Sequence, residues 1–482
     1  MPYWICRKRS LCSWESWTPR KFWLRNPKSH STLIAKREDT IPMLTRRTKL
    51  GFGVGDLGGN LFFTIIGFYL LYYFTDILSL APALAGTALM IGKIWDAITD
   101  PITGYLSDRT RTRYGRRRPY MVVGAIISFF CMGLIFTPVE LSSQMKLFIY
   151  VTFLYCLLNT AYTLVNIPYA ALLPELTEDY HERTILTGYR MSFAVMGTFV
   201  GAALVMPIVN IFPEVPLGWS MMGTFMGAVM LISTMATVFA IHEPKAIKDQ
   251  EQTGFISTFT GVLKDRVFLS ALLPWTFFIT GTSMIQGALV YYFTYIFGNE
   301  GLFQLALIAL LSFSLLCIPL WVRIAHKIGK KQCYMIGMGI MSACVLAFSL
   351  LGQYLGPIYG VIIMGAAGVG LSTHYVMPHA ILPDVVEYDS IKHHSGRREG
   401  VFSSLWTFSS KIGQAFALAL NGWVLALFGY QSGQVSDLAM KGIILVSGPL
   451  PLLWYLLGLF ILRKYPIDQA YYEKMLEKKE VR

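Results

Sequence analysis

Three charged side chains lie inside one apolar stretch of the sequence, IGKIWDAITDPITG at 91–104. Lys93, Asp96 and Asp100 are three and four residues apart, so a helix would place them on one face. A charge near the centre of a bilayer costs about 2.5–3.5 kcal/mol on insertion scales, so this face should turn towards partners or water. Two carboxylates one turn apart can bind Na⁺ or share a proton, which predicts a cation site. Alternatively, Lys93 neutralises Asp96, and Asp100 beside Pro101 caps the helix end.

A further charge, Lys411, lies in the apolar segment FSSKIGQAFALAL at 408–420. An ammonium group inside an apolar helix needs an acidic counterpart, and Asp96 and Asp100 are the candidates. A cation that competes with this ammonium for the carboxylates would link ion occupancy to helix position. A static ion pair between two helices is the alternative.

Other polar side chains interrupt the apolar segments in both halves of the chain. A sugar site needs amides, charged donors and aromatic rings near the membrane midplane, because sugars offer hydroxyls to hydrogen-bond and apolar ring faces to stack. Single polar residues also bridge helices, which is the alternative for each of them. The candidate substrate-binding residues are Asn60, Tyr162, Thr163, Asn166, Arg190, Tyr375, His379, Trp406 and Thr407.

Charged residues also crowd the loops after the second, fourth and tenth apolar segments. They could act as gates by latching helices through charge pairs, or they could be topology signals and solvated loop charges. The candidate gating residues are Asp108, Arg109, Arg116, Glu175, Arg183, Asp384, Glu387 and Arg398.

The sequence contains no nucleophile elbow, phosphate-binding loop or metal-type cysteine pair. Most of its seven cysteines fall inside apolar segments and are interpreted as small core residues. We therefore predict that the chain is not an enzyme. It should need no cofactor beyond a coupling ion, Na⁺ or H⁺.

Long apolar segments must hold all of these groups in place. The 482 residues are 54% hydrophobic and 14% charged, against roughly 25% charged residues in a typical soluble chain. Runs of about 20 apolar residues match a hydrocarbon layer of about 30 Å, which predicts an all-α membrane protein with twelve helices. The predicted segments are 58–80, 84–106, 120–138, 147–173, 187–211, 219–241, 268–292, 302–325, 333–354, 357–382, 400–428 and 441–463.

The chain repeats itself at a spacing of about 210 residues. GRRRPYM at 115–121 recurs as GKKQCYM at 329–335, and PYAALLPE at 168–175 recurs one residue shorter as PHAILPD at 378–384. Two matches in the same order indicate two six-helix halves related as parallel repeats. Two such bundles suit alternating access to a central site by rocking.

Basic residues occupy alternate loops, which places both termini on the cytosolic side of the cell (inner) membrane. The net charge of +13 is therefore a topology signal, and no nucleic-acid partner is predicted. The predicted parts of the chain are a basic, disordered extension at 1–42, a bundle at 43–241, a cytosolic linker at 242–266, a bundle at 267–464 and a cytosolic tail at 465–482.

From about Thr45 to Lys464 the chain resembles the glycoside–pentoside–hexuronide:cation symporters, the melibiose permease group within the major facilitator fold. The resemblance implies secondary active transport of a sugar-like solute together with Na⁺ or H⁺, by alternating access. The segments that carry it are GFGVGDLGGN at 51–60, YLLYYFTD at 69–76, DAITDPITGYLSDRTRTRYGRRRPY at 96–120, NIPYAALLPELTEDYHER at 166–183 and PDVVEYD at 383–389, with Lys411 downstream.

The resemblance also implies roles for single residues. Asp96 and Asp100 match the family's cation-site carboxylates, and Thr163 matches a neighbouring cation-site hydroxyl. Arg190 resembles a sugar-site arginine, and Lys411 resembles the lysine of helix eleven that is tied to coupling.

Several positions depart from the melibiose permease pattern. Lys93 replaces an arginine, Asn60 and Asn166 replace sugar-binding aspartates, and Ala170 replaces a tryptophan. These changes argue against an α-galactoside, and asparagine at the first position resembles the pentoside and hexuronide branches. Because the family includes eukaryotic sodium-coupled lysophospholipid carriers, an amphipathic lipid or drug is the alternative solute, and an apolar cavity would favour it. A non-transporting membrane sensor is a third hypothesis.

Overall fold

The structure is a computed structural model, and part of the chain lies outside the residues that it describes. The predicted extension at 1–42, most of the predicted linker at 242–266 and most of the predicted tail at 465–482 lie outside them, as does Arg398. The described residues are 44–177, 179–241, 262–393, 399–467 and 471.

Twelve long helices make up the described chain and form two bundles of six, which confirms the predicted fold. Apolar runs of this length become helices because lipid cannot satisfy backbone polar groups. The helices are α1 (Arg46–Ile77), α2 (Pro82–Arg109), α3 (Arg118–Ile135), α4 (Gln144–Leu176), α5 (Tyr180–Ala203), α6 (Val215–Ala240), α7 (Arg266–Ile296), α8 (Gly301–Ile328), α9 (Lys330–Leu355), α10 (Pro357–His393), α11 (Glu399–Leu427) and α12 (Asp437–Leu462).

Many of the helices are longer than the predicted apolar segments. The first segment was expected at 58–80, whereas α1 begins at Arg46, and α10 continues eleven residues past the expected end at 382, to His393. Hydropathy detects the part of a helix that lies in hydrocarbon, and it misses polar turns that continue beyond it.

Two helices are interrupted within the membrane region. α5 stops at Ala203, and the short helix Val205–Ile211 continues it at an angle of 41°. Pro207 explains this bend, because proline cannot donate the backbone hydrogen bond that would continue the first helix. α12 breaks at Gly448, where a Cβ atom would lie 2.2 Å from the Cβ atom of Ser349 on α9.

A third pair of matching segments lies at the ends of α1 and α7. The sequence YYFTDI at 72–77 recurs as YYFTYI at 291–296. In both helices the last turn is a π-helix, Tyr73–Ile77 in α1 and Tyr292–Ile296 in α7. The shared local geometry supports two halves that descend from one unit.

Nine of the described helices are long and apolar enough to cross a membrane by themselves, and the bent α5 pair makes a tenth. The other two, α2 and α11, carry Lys93, Asp96, Asp100 and Lys411. These two helices pack along each other across the boundary between the bundles. The least apolar helices therefore shield one another at the centre of the molecule.

Hydroxyl groups of the second bundle surround a carboxylate at the end of α1. Tyr430 donates to Asp76 Oδ1 at 2.7 Å, and Tyr295 donates to the same oxygen. The Thr75 and Tyr291 hydroxyls are 2.7 Å apart. These contacts join the bundles at the end of the molecule that carries the α1–α2 connection, called here the Asp76 end.

The close packing of α2 against α11 can be tested by adding a methyl group at their interface. A Cβ atom on Gly422 would lie 2.3 Å from the Pro82 carbonyl oxygen and 2.7 Å from the Gly86 Cα atom. Because both are backbone atoms, the helices would have to separate. We expect Gly422→Ala to lower the thermal midpoint of the purified protein, at a cost of about 1–3 kcal/mol. Gly339→Ala, whose added Cβ meets nothing within 4 Å, is the control; equal midpoints would contradict the close packing.

Candidate cation and solute sites

Two carboxylates, one hydroxyl and one ammonium group meet where α2 contacts α4 and α11. The Thr163 hydroxyl lies 3.0 Å from Asp96 Oδ1 and 3.1 Å from Asp100 Oδ1. Lys411 Nζ lies 2.9 Å from Asp96 Oδ2 and 2.5 Å from Asp100 Oδ2. The structure thus brings together four of the five residues predicted for the cation site.

Local sequence explains how these groups reach one another. Asp96 and Asp100 are one turn apart on α2, so both point the same way. α4 can approach because residue 92 of α2 is glycine: a Cβ atom on Gly92 would lie 2.1 Å from the Tyr155 ring. This contact lies two turns before Thr163 on α4, which brings the Thr163 hydroxyl level with the carboxylates.

The hydrogen-bonding capacity of the cluster is not fully used. The Thr163 hydroxyl has one proton, so it can donate to only one of its two carboxylate neighbours at a time. Lys411 contacts Asp96 Oδ2 without hydrogen-bond geometry, so this buried oxygen has an ionic partner but no hydrogen bond. Carboxylate and hydroxyl oxygens are the ligands that hard cations such as Na⁺ prefer. The donor set therefore fits a monovalent cation.

The cluster is buried, and its two carboxylates do not line the cavity of about 300 Å³ that lies between the two bundles. Asp96 is 1% exposed, and the side chains of Lys411 and Asp100 are 13% and 19% exposed. Neither carboxylate lines that cavity, whereas Lys93 does. In this state the carboxylates therefore turn towards partners rather than towards open water.

Lys93 is not the neutralising partner of Asp96 that the sequence offered as an alternative. Lys411 takes that place. Among the described residues Lys93 forms no hydrogen bond or ion pair, and its Nζ lies 5.0 Å from the centre of the Phe63 ring. The side chain of Lys93 is buried, at 3% exposure, and it reaches the cavity wall.

A cavity of about 300 Å³ lies between the two bundles. Its polar lining comes mostly from α1, α2, α7 and α11, and its apolar lining comes mostly from α8, α9 and α10. The polar lining residues are Asn60, Thr64, Lys93, Thr198, Thr282, Ser283, Gln286, Tyr375, Gln414 and Ser447. The wall from α8–α10, called here the apolar wall, consists of Leu310, Leu311, Met341, Cys344, Val345, Phe348, Ile363, Met364, Ala367 and Leu371.

The predicted substrate-binding residues do not line a single cavity. Asn60 and Tyr375 line the large cavity. Tyr162 and Asn166 line a smaller cavity of about 20 Å³ within the first bundle. Thr407 is exposed and lines neither of these two cavities.

Arg190 is held by Asp56, a residue that was not among the candidates. Arg190 Nε lies 3.1 Å from Asp56 Oδ2, and the guanidinium lies 5.2 Å from the centre of the Tyr169 ring. Asp56 is 6% exposed and interrupts an apolar helix, which is the signal that could have identified it. In this state Arg190 is paired within the first bundle.

His379 and Trp406 belong to an aromatic cluster around Trp275 of the second bundle. Trp406 stacks on Trp275 at 5.2 Å between ring centres, and His379 contacts its edge at 5.2 Å. His374 stacks on the other side at 4.6 Å. The cluster packs α7, α10 and α11 together, and Trp275 was missed because tryptophan in an apolar run carries no polar signal.

Gln286 and Gln414 also reach the cavity, although the sequence analysis did not select them. Gln414 follows Lys411 by three residues on α11, so helical spacing could have placed both on one face. Gln286 interrupts the apolar run of α7. Both amides are therefore available to a solute.

Ion pairs at the end opposite Asp76 join helices of the same bundle. Arg117 Nη2 lies 3.1 Å from Asp108 Oδ1 and 2.6 Å from Glu175 Oε1, and Arg116 also contacts Glu175. Such pairs brace a bundle internally, so gating between the bundles stays a prediction. Arg117 was missed as a partner.

The remaining gating candidates make similar local contacts. Lys330 lies 2.7 Å from Asp384, Arg183 donates to the Thr177 carbonyl, and Arg109 lies over the Tyr105 ring at 4.0 Å. Glu387 also has a polar or electrostatic partner.

Asp265, directly before α7, is paired as well. Lys392 Nζ lies 3.0 Å from Asp265 Oδ2. Burial would raise the pKa of Asp265, but hydrogen bonds from Lys392 and from the amides of Val267 and Phe268 outweigh it and hold the pKa below its ordinary value.

The fold and the buried ionic cluster define a membrane transporter of the major facilitator type. The sequence matches the family described as MFS/sugar transport protein over residues 51–469, and the chain belongs to this family. It is a symporter-type member of the melibiose permease group, as the resemblance implied.

Relatives of this chain are 25% to 29% identical to it over the aligned residues. The uncharacterized symporter sll1374 of Synechocystis is 29% identical, over 90% of this chain and 96% of its own length. The sodium-dependent lysophosphatidylcholine symporter 1-A of Danio rerio is 27% identical, over 90% of this chain and 88% of its own. The inner membrane symporter YicJ of Escherichia coli is 28% identical, over 88% and 92%.

Solved structures share the fold. The nucleoside transporter NupG superimposes with a TM-score of 0.61 at 14% identity, over 90% of this chain and 99% of its own. A bacterial homologue of the human peptide transporters PepT1 and PepT2 gives a TM-score of 0.63 at 12% identity, over 90% and 99%. These likenesses concern the fold alone.

The shared ammonium group gives a test of the cluster. Lys411→Met leaves Asp96 and Asp100 facing each other without their cation, and breaking a buried pair in this way costs about 3–5 kcal/mol. We expect a lower thermal midpoint than in the wild type, measured by thermal melting in Na⁺-free buffer. Lys441→Met, at an exposed lysine of α12, is the control. Equal midpoints for Lys411→Met and this control would count against the paired geometry.

Proposed function

We propose that this protein is a cation-coupled symporter that moves its solute by alternating access between the two bundles. One observation carries the proposal. The two carboxylates of α2 share a single hydroxyl from their own bundle and a single ammonium group from the other bundle. Such a cluster can exchange one positive partner for another.

The exchange would change which helices are held together. Asp96, Asp100 and Thr163 belong to the first bundle, whereas Lys411 belongs to the second. A cation bound by these three groups of the first bundle would neutralise the carboxylate charge that Lys411 now neutralises. The ionic link between α2 and α11 is then lost, and the bundles are free to rock. Ion occupancy would thereby control the position of the helices.

The contacts at the Asp76 end suggest which state the structure represents. Asp76 holds Tyr295 and Tyr430 of the second bundle, so the two halves are closed against each other there. With both termini in the cytosol, as the basic loops predict, the Asp76 end faces outwards. We assign this state as closed to the outside.

Substitution of the carboxylates tests the cation site. Asp96→Asn and Asp100→Asn keep the shape of the side chain but remove its charge, so each should abolish Na⁺-dependent stabilisation. The measurement is the thermal midpoint in NaCl compared with KCl at equal ionic strength, together with solute uptake into vesicles under a Na⁺ gradient. We expect the shift and the concentrative uptake to be lost.

Asp437→Asn, at an exposed carboxylate of α12, should retain both responses. A response to pH in place of Na⁺ would identify H⁺ as the coupling ion. Wild-type protein that is indifferent to both cations would contradict coupling.

For the solute we propose a sugar derivative that has both a polar and an apolar part, such as a glycoside with an apolar aglycone. Asn60, Gln286 and Gln414 offer amides to hydroxyl groups at the polar side of the cavity. The apolar wall would hold the rest of the solute. The family description supports a sugar.

A second candidate is an amphipathic lipid, and the apolar wall favours it. Seventeen of the twenty-seven lining residues are apolar or glycine, and α8, α9 and α10 supply ten of them as the apolar wall, which suits an acyl chain. Sodium-dependent lysophosphatidylcholine symporters are among the relatives. Both candidate solutes have an apolar part, and the two candidates differ in the length of that part.

A larger side chain in the apolar wall would fill the space beside it and so test whether this space binds the apolar part of the solute. Ala367 is 3% exposed on α10, and Ala367→Phe would occupy the volume beside it. We expect the affinity for dodecyl glycosides and lysophosphatidylcholine to fall by about tenfold or more, and the affinity for methyl glycosides to change little. Ile362→Phe, on the exposed side of the same helix, is the control. Equal losses for methyl and dodecyl glycosides would argue against a separate apolar subsite.

A further inference from the structure

We infer that Lys93 is a recognition site for an anionic group of the transported solute, such as a carboxylate or a phosphate. This inference rests on the proposed transport function and narrows its substrate class. It assigns to Lys93 a role towards the solute, beside the cation site formed by Asp96 and Asp100.

The surroundings of the Lys93 ammonium group are the first observation. The side chain is 3% exposed, forms no hydrogen bond or ion pair with a described residue, and places its Nζ 5.0 Å from the centre of the Phe63 ring. It interacts with the charges of Asp96 and Asp100 only through space, without direct contact. Asp96 lies one turn away, but its oxygens are engaged with Lys411 and Thr163. Burying an ammonium group without an ionic partner is unfavourable, so such a group is usually retained for a ligand.

The direction of the side chain is the second observation. Lys93 belongs to the lining of the 300 Å³ cavity, which is the space where a solute would lie. Asn60 and Thr64, which flank Phe63 on α1, line the same cavity. An anionic group in this space would meet the ammonium and the polar face of α1 together.

Unused amide donors lie around the same space. Gln286 of α7 and Gln414 of α11 line the cavity and make no hydrogen bond to another described residue. Side-chain amides supply N–H donors that can bind an oxyanion beside a lysine. Lys93 from the first bundle and the two glutamines from the second could therefore hold one anionic group between the bundles.

Charge balance is the third observation. The buried charges around the two sites are three acids, Asp56, Asp96 and Asp100, and three bases, Lys93, Arg190 and Lys411, which sum to zero. A bound monovalent cation raises the total to +1. A solute carrying one negative charge restores neutrality, whereas a neutral solute leaves the excess charge in a medium of low dielectric constant. The cation and an anionic solute should therefore strengthen each other's binding.

The test compares probes that differ only in the anionic group. One pair is 4-nitrophenyl β-D-glucuronide and 4-nitrophenyl β-D-glucoside, and the other is 1-lauroyl lysophosphatidic acid and 1-lauroylglycerol. Dissociation constants are measured calorimetrically on the full chain in nanodiscs, in NaCl and in KCl. We expect the anionic member of at least one pair to bind about tenfold tighter or more than its neutral partner in NaCl. The pair that shows the difference identifies a carbohydrate or a lipid source.

Variants of Lys93 then test the assignment. Lys93→Gln should remove most of the preference for the anionic probe, Lys93→Arg should retain it, and the exposed-site control Lys441→Gln should leave it unchanged. Asn60→Asp supplies an internal carboxylate in the same cavity and should also remove the preference, which covers the case that Lys93→Gln does not fold. An absence of preference in both probe pairs, or a preference that survives Lys93→Gln, would overturn the inference.

The outcome is separable from that of the proposed function. If Na⁺ stabilises the protein but neither pair shows a preference for its anionic member, symport stands and the role of Lys93 is refuted. If the anionic preference depends on Lys93 but Na⁺ and pH have no effect, the anion site stands and cation coupling is refuted.

Discussion

Lys411 faces two carboxylates at once in a region where lipid offers no solvation, and the arrangement of the whole molecule depends on that contact. It would be costly in the membrane interior to leave the ammonium group of α11 without its carboxylates. It would also be unfavourable to leave the two carboxylates of α2 without a cation. α2 and α11 must therefore stay together until another positive charge replaces Lys411. In the transport cycle proposed above, this ion pair is the contact between the bundles that a bound cation would break.

The second contact between the bundles has a different chemistry. At Asp76 the second bundle supplies tyrosine and serine hydroxyls rather than a cation. Asp76 and Tyr295 occupy equivalent places in the repeated sequences YYFTDI and YYFTYI, so this contact joins equivalent positions of the two halves. Neutral donors hold the carboxylate less strongly than an ammonium group would. The bundles are thus joined by neutral hydrogen bonds at Asp76 and by an ion pair at Lys411.

The predicted cation cluster follows the melibiose permease pattern more closely than the lining of the cavities does. Asp96, Asp100, Thr163 and Lys411 match the family pattern and meet in one cluster. Asparagine replaces aspartate at Asn60 in the cavity between the bundles and at Asn166 in the small cavity of the first bundle. The cavity between the bundles combines Lys93 and side-chain amides with the apolar wall. Loss of two carboxylates leaves the buried charges balanced before a cation binds, and this makes an added anion favourable.

The sequence by itself determined the twelve helices through hydropathy and the duplication through its repeated segments. Helical spacing placed Asp96 and Asp100 on one face, and the apolar surroundings of Lys411 showed that it needs an acid. Each of these is a property of one helix or of a repeated segment. Only the tertiary structure decided that Lys411, and not the nearby Lys93, balances these acids, since the contact joins residues 311 positions apart. It likewise paired Arg190 with Asp56 and assembled the apolar wall from three helices. Such contacts depend on which helices pack together, and the local sequence of one helix does not specify its packing partners.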